Sequence, residues 1–263
     1  MALELSDYPE FCVWENSIVR TKMLSMVWSL TGNREVAILD VGCGAARMWK
    51  PLLENMPNVS LYGFDPGKNS IAMAKNDLKG LRANFCQGGV ASIDTVFPEV
   101  QAFDFIVSHS VLEHVVPRHL YFSAIANRLA SDGTALISWG SDHFRQGLRT
   151  DLRNYISQLL AMVGVERYYA REVDEQWARK EIVKAGLEIN TLHHYSLVEL
   201  KKLFKLAPEE SKTQIFQSWI RIEEEFNRGS REGASFSCKM DETFAVVTKK
   251  EAHAMLNTAT KVA

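Results

Sequence analysis

The stretch VAILDVGCGAARMW, residues 36–49, decides the fold. Its first six residues are apolar except Asp40. A run without polar alternation reads as a strand buried on both faces, as in parallel sheets. Gly42 and Gly44 follow at once. Glycines there let the chain turn sharply and let a ligand approach bare backbone. The helix expected from about Ala45 to Asn55 then offers free N–H groups to a negative group. Taken alone, the glycine pair fits a tight strand-to-helix turn equally well.

The same alternation repeats on both sides of this stretch. Upstream, residues 15–30 place apolar side chains at 18, 19, 23, 24, 26, 27 and 30, a helical stripe closed by Thr31-Gly32-Asn33. Downstream, SLYGFD (60–65), RANFCQG (82–88), FDFIVSHS (103–110) and TALISWG (134–140) read as strands. Helices are expected over 68–78 and 112–130, with a turn at Ser131-Asp132-Gly133. Strands alternating with helices imply βαβ units, right-handed crossovers and a doubly wound α/β fold with a mostly parallel sheet. Ligands in such sheets bind beyond the carboxyl ends of the strands. Asp40 to Ala46, Asp65, Gly88-Gly89, Ser108 to Ser110 and Trp139 to His143 should therefore converge on one rim.

Beyond residue 145 the pattern is less regular. Helices are expected over 148–164, 174–186, 198–204 and 213–228, and strands over 187–197 and 242–250. The run RIEEEFNR (221–228) reads as a solvated helix face. The chain divides into an N-terminal helical segment (1–34), a core (35–144), and a helical lid or substrate region (145–235) with one core strand near 187–195. A last strand and tail (236–263) complete it.

Composition limits the partners. The 263 residues are 46% hydrophobic and 24% charged, enough for a sizeable core, and the net charge of −2 gives no global field for a nucleic acid. Cys12, Cys43, Cys86 and Cys238 form no C-x-x-C pair, which argues against a zinc site or a disulfide scaffold. The acidic N-terminus lacks the basic region of a signal peptide, and no apolar run would span a bilayer. The expectation is a cytoplasmic protein with no membrane or nucleic-acid partner. The oligomeric state is left open, a homodimer included.

Asp65 ends the next strand about 25 residues after the glycine turn begins, where a carboxylate accepts hydrogen bonds from both hydroxyls of a ribose. A dinucleotide site would want a third glycine where Arg47 stands, and no Gly-Lys-Ser/Thr follows for a phosphate loop. Asp40 would repel a pyrophosphate but suits a cationic amino acid. The pattern favours a nucleoside joined to such a group.

At this point the residues resemble a known family. ILDVGCGAA is similar to motif I of the class I S-adenosylmethionine-dependent methyltransferases, and LYGFDPGKNSIAMAK to their second motif. FDFIVSHSVLEHV resembles the fourth-strand signature, and RLASDGTALIS the stretch entering the fifth. The resemblance implies a seven-stranded Rossmann-like sheet with a helical lid and S-adenosylmethionine as cofactor. It implies that Asp40, Gly42, Cys43 and Gly44 line the methionine end, Asp65 holds the ribose, and Pro66, Gly89 and Val90 border the adenine. The backbone of Ser108 and His109 would face the cofactor's amino group. Two departures stand out: Ala46 replaces a third glycine, costing little if its backbone is helical, and Gly89 replaces an aspartate that bonds the adenine.

Methyl transfer to a hydroxyl needs an aligned acceptor and, for a phenol or alcohol, a base. His143, past the fifth strand, is the first candidate for base or substrate contact, and His109 the second. Glu113-His114 resembles a stretch that holds a divalent metal in some ubiquinone-pathway O-methyltransferases. Ser110 stands where another acid of that set would be, so the expectation is capping and packing, with no metal. Tyr8, Trp14 and Trp139 are candidate substrate contacts. Tyr155, Tyr168, Tyr169, Phe216 and Trp219 could line a lid, though aromatics at helical spacing are more often core. The favoured function is O-methylation of a small molecule. N- or carboxyl-methylation and a catalytically inactive cofactor-binding module are the alternatives.

Overall fold

The structure, a computed structural model, describes residues 8–15, 17–116, 118–140, 156, 172–231 and 240–250. Seven strands form one sheet: β1 (Val36–Val41), β2 (Val59–Asp65), β3 (Ala83–Gln87), β4 (Phe103–His109), β5 (Leu129–Gly140), β6 (Leu187–Leu197) and β7 (Met240–Lys249). Their order is β3-β2-β1-β4-β5-β7-β6. The first five strands run parallel, and β7 enters antiparallel between β5 and β6. In register, Asp40 lies opposite Gly63 of β2 and Val107 of β4. The carboxyl ends of these three strands therefore finish at one level.

The unalternating run of β1 has the expected cause. Val36 and Ile38 enter one core cluster, and Leu39 and Val41 enter the other. Helices α1 (Ile18–Thr31), α2 (Lys50–Asn55) and α3 (Lys68–Asp77) pack into the first cluster. Phe204 of α6 (Val198–Leu206) and Phe216 and Trp219 of α7 (Lys212–Arg231) join it. Helices α4 (His119–Arg128) and α5 (Glu175–Lys184) pack into the second. No helix among the described residues is long and apolar enough to cross a membrane.

Four local expectations are corrected. Helix formation does not begin at Ala45: Ala46 is left-handed (φ 53°, ψ 19°), and a 3-10 turn, Arg47–Trp49, leads into α2. The turn expected at Ser131–Gly133 lies inside β5 as a bulge, because Phe103 pairs with Leu129 but Phe105 pairs with Thr134. There the backbone folds so tightly that a Cβ on Gly133 would come within 3.0 Å of the Phe103 carbonyl. Helix α1 buries more than a stripe. Thr21 and Ser25 are also fully buried, their hydroxyls donating to the carbonyls of Ser17 and Thr21 one turn back. Finally, RIEEEFNR is not a solvated face, since Glu223 has no exposed surface and Asn227 is 6% exposed.

Candidate functional site

Gly42 and Gly44 both adopt positive φ, +70° and +56°, where a side chain is strained. A Cβ on Gly42 would lie 2.5 Å from Val111 Cγ2, so no larger residue fits. Around Gly44 nothing among the described residues lies within 4 Å of where a Cβ would be, which leaves its backbone open. The turn is anchored to the neighbouring strand. The amides of Gly42 and Cys43 both donate to the Phe64 carbonyl at 2.9 and 3.0 Å.

Asp65 joins this turn to the end of β2. Gly44 N–H donates to its Oδ2 at 3.0 Å, and Gly67 N–H to its Oδ1 at 2.7 Å. The Gly88 amide donates to the Asp65 carbonyl at 3.1 Å, which brings the 88–90 loop alongside. Gly89, like Gly44, has open space where a Cβ would be, Pro66 is exposed, and Val90 begins a 3-10 turn. The hydrogen bonds thus bring the Gly42–Gly44 turn, the Asp65–Gly67 corner and the 88–90 loop together at the carboxyl ends of β1, β2 and β3.

Asp40 lies beneath the turn. It is 5% exposed, and Trp49 Nε1 donates to its Oδ2 at 2.7 Å. Burial pushes its carboxyl up to about 6, against the Trp49 hydrogen bond and the nearby charges of His109 and Arg20. Burial likewise raises the Cys43 thiol, with Asp40 and Asp65 adding to it, so Cys43 is a neutral packing group.

On β4, Ser108 is fully buried, with no hydrogen-bond partner at its Oγ among the described residues. His109 is the next residue. Its Nε2 lies 3.4 Å from Glu242 Oε1 of β7. Glu242 is 7% exposed, and Ser196 Oγ donates to its Oε2 at 2.6 Å. Burial would raise the Glu242 carboxyl, but His109 and Ser196 together hold it at about 2. Glu113 also faces inward, accepting from Gly140 N–H at 3.2 Å, while His114 is exposed. Among the described residues no group of three or more His, Cys, Asp or Glu could hold a metal ion.

Other candidates fall elsewhere. Trp139 is fully buried in the second core cluster with Ala135 and Ile137. Strand alternation sends these odd-numbered side chains into the core under α4 and α5, so Trp139 does not face the rim as expected. Phe216 and Trp219 are core residues stacked on Phe204. Trp14 is partly buried, with the Arg20 guanidinium 5.8 Å from its ring centre. The Tyr8 hydroxyl accepts from Lys22 Nζ at 2.8 Å. His143, Tyr155, Tyr168 and Tyr169 lie outside the described residues. The sequence reading missed Glu242, Ser196, Glu223 and Arg20.

A family model described as a methyltransferase domain matches residues 39–135, which contain the glycine turn, Asp65, the 88–90 loop and His109. The match supports a class I S-adenosylmethionine-dependent methyltransferase. Over 131 residues the chain is 31% identical to a ubiquinone biosynthesis O-methyltransferase of Bradyrhizobium diazoefficiens, covering 49% of the chain and 45% of that protein. Over 194 residues it is 26% identical to the protein of that description from Azorhizobium caulinodans, covering 69% and 70%. The chain thus spans about half the length of the first of these curated relatives. A solved TehB-like SAM-dependent methyltransferase from Corynebacterium glutamicum shares the fold, with a TM-score of 0.52 and 18% identity over 86% of this chain and 87% of that one. S-adenosylmethionine is the family's cofactor, and the residues present fit it. The backbone at Gly44 and Gly89 leaves room that side chains at those glycines would fill, and the Asp65 carboxylate adjoins Gly44.

Proposed function

We propose that the chain transfers a methyl group from S-adenosylmethionine to an oxygen of a small-molecule acceptor. The observation that carries this reading is the apposition of the Gly42–Gly44 turn to Asp65 at the carboxyl ends of β1 and β2. When bound, S-adenosylmethionine supplies an electrophilic methyl group on a sulfonium.

Asp65 would hold the ribose hydroxyls, because each of its oxygens keeps a lone pair beyond the amide it already accepts from. Pro66, Gly89 and Val90 would border the adenine. Gly89 supplies backbone where the family has an acid, so recognition there is by shape and main chain. Asp40 would favour the ammonium of the methionine end, and Arg20, close enough to lower the Asp40 carboxyl, is the cation available to its carboxylate. The backbone of Ser108 and His109 would face that amino acid.

For a hydroxyl acceptor, His109 would take the proton. It lies at the carboxyl end of β4 on the same rim and is nearly but not fully buried, which restricts water without excluding a substrate. His143 is the other candidate base, and Tyr8 and Trp14 are candidate acceptor contacts. Oxygen as the acceptor atom is supported by the O-methyltransferase relatives.

The test is titration calorimetry with S-adenosylmethionine, followed by S-adenosylhomocysteine formation across a panel of phenols and carboxylic acids. Binding with turnover on a phenol is expected. No binding would overturn the reading, and binding without turnover across the panel would leave a cofactor-binding module instead.

A further inference from the structure

The rim histidine has a buried acid behind it that the family resemblance does not account for. Glu242 comes from β7, the antiparallel strand inserted next to β5, and its Oε1 lies 3.4 Å from His109 Nε2. That nitrogen is buried and has no well-formed hydrogen bond among the described residues, and this carboxylate faces it. The contact is long for a resting hydrogen bond, as catalytic pairs often are before substrate arrives.

Glu242 is itself held from behind. Ser196 Oγ donates to Oε2 at 2.6 Å. Ser196 has a left-handed backbone (φ +68°), an arrangement that costs energy for a residue with a side chain. A second buried acid, Glu223 on α7, secures that backbone by accepting from Ser196 N–H at 2.8 Å and from Trp219 Nε1 at 2.6 Å. A strained serine, itself held by one further buried acid, therefore fixes one oxygen of Glu242 and leaves the other directed at His109. Packing alone requires none of this, since an apolar side chain would fill the same space without burying a charge.

We propose that Glu242 is a positioning residue that orients the His109 imidazole, keeping a proton on Nε2 and leaving Nδ1 to receive the acceptor's proton. This rests on the reading of His109 as the base. In the pair, the acceptor O–H bond breaks as an N–H bond forms at Nδ1, and the resulting imidazolium is balanced by the Glu242 carboxylate, which stays ionised. The other charged groups around His109 are Asp40 of β1 and Glu113 after β4, with Lys201 of α6 beyond Glu242.

The test is nitrogen-15 NMR of histidine-labelled full-length protein, with His109→Gln used to assign the resonance. In the wild type, the neutral ring of His109 should carry its proton on Nε2. In Glu242→Gln, the ring should lose its second proton at a pH lower by about one unit or more, because the opposite charge is gone. Glu242→Asp, which keeps the charge but draws it back, should give a smaller shift in the same direction. A wild-type ring protonated on Nδ1, or titration curves that superimpose in all three proteins, would overturn the pairing. The wild-type tautomer decides the matter even if a variant does not fold. Turnover by His109→Gln on the phenol panel at the wild-type rate would instead remove the base reading on which the proposal stands.

Discussion

Asp40 sits beneath the glycine turn with one oxygen on Trp49, and its burial keeps much of it protonated below about pH 6. A cationic ligand needs the ionised form, so cofactor affinity should fall as pH drops through about 6, approaching tenfold per unit. Calorimetry between pH 5 and 8 in buffers of different ionisation enthalpy should show protons released on binding at the acid end. Constant affinity across that range would separate Asp40 from the ligand. Asp65→Ala removes the anchor of Gly44 together with the proposed ribose acceptor, and should weaken binding by about 10²-fold. The placement of Gly42, Gly44 and Asp65 was legible because its causes are local: two positive-φ residues after a buried strand, and an acid ending the next one. Ala46 was misread because the sequence does not reveal that the turn needs three left-handed residues rather than two. Glu242 and Arg20 were invisible for another reason. Their proximity to His109 and Asp40 is created by the sheet order and by the packing of α1, and neither leaves a spacing in the chain.

At the scale of elements, α7 shows how a charged run can be structural. Glu223 accepts from the amides of Ser196 and Leu197 and from the Trp219 indole, and Asn227 exchanges hydrogen bonds with the backbone of His194. The helix is thereby fastened to the end of β6 by side chains that composition assigns to solvent. Strand and helix positions were readable from periodicity, but burial of the acid depends on donors that the β6–α6 corner supplies. Glu223→Ala would strand three buried donors and should cost about 3 kcal/mol or more, read from urea denaturation. Burial raises the Glu223 carboxyl to about 7, well above its ordinary 4.5. With the folded value above the unfolded one, this group's stabilisation is complete below about pH 4.5 and is lost as pH rises through about 7. Glu223→Gln should remove that part of the slope of thermal midpoint against pH.

Across the whole molecule, the layers are joined by buried charge as well as by apolar packing. Lys22 of α1 is 7% exposed, pairs with Glu224 of α7 at 2.7 Å and donates to the Tyr8 hydroxyl. The Tyr195 hydroxyl of β6 donates to the same carboxylate at 3.1 Å. Lys22→Met breaks this pair while leaving the acid in place, and should destabilise by about 2–4 kcal/mol in urea denaturation. A surface ion pair removed in the same way, such as Arg228→Met, should change stability by less than about 1 kcal/mol. The sheet's topology also has a consequence for how the protein is made. Residues 240–249 occupy an interior position in the sheet, between strands that leave the ribosome earlier. A nascent chain that has emerged only as far as β6 presents β5 with an unpaired flank, and its cofactor cradle can form before His109 has met Glu242. During translation, then, the ability to bind should appear before the ability to turn over.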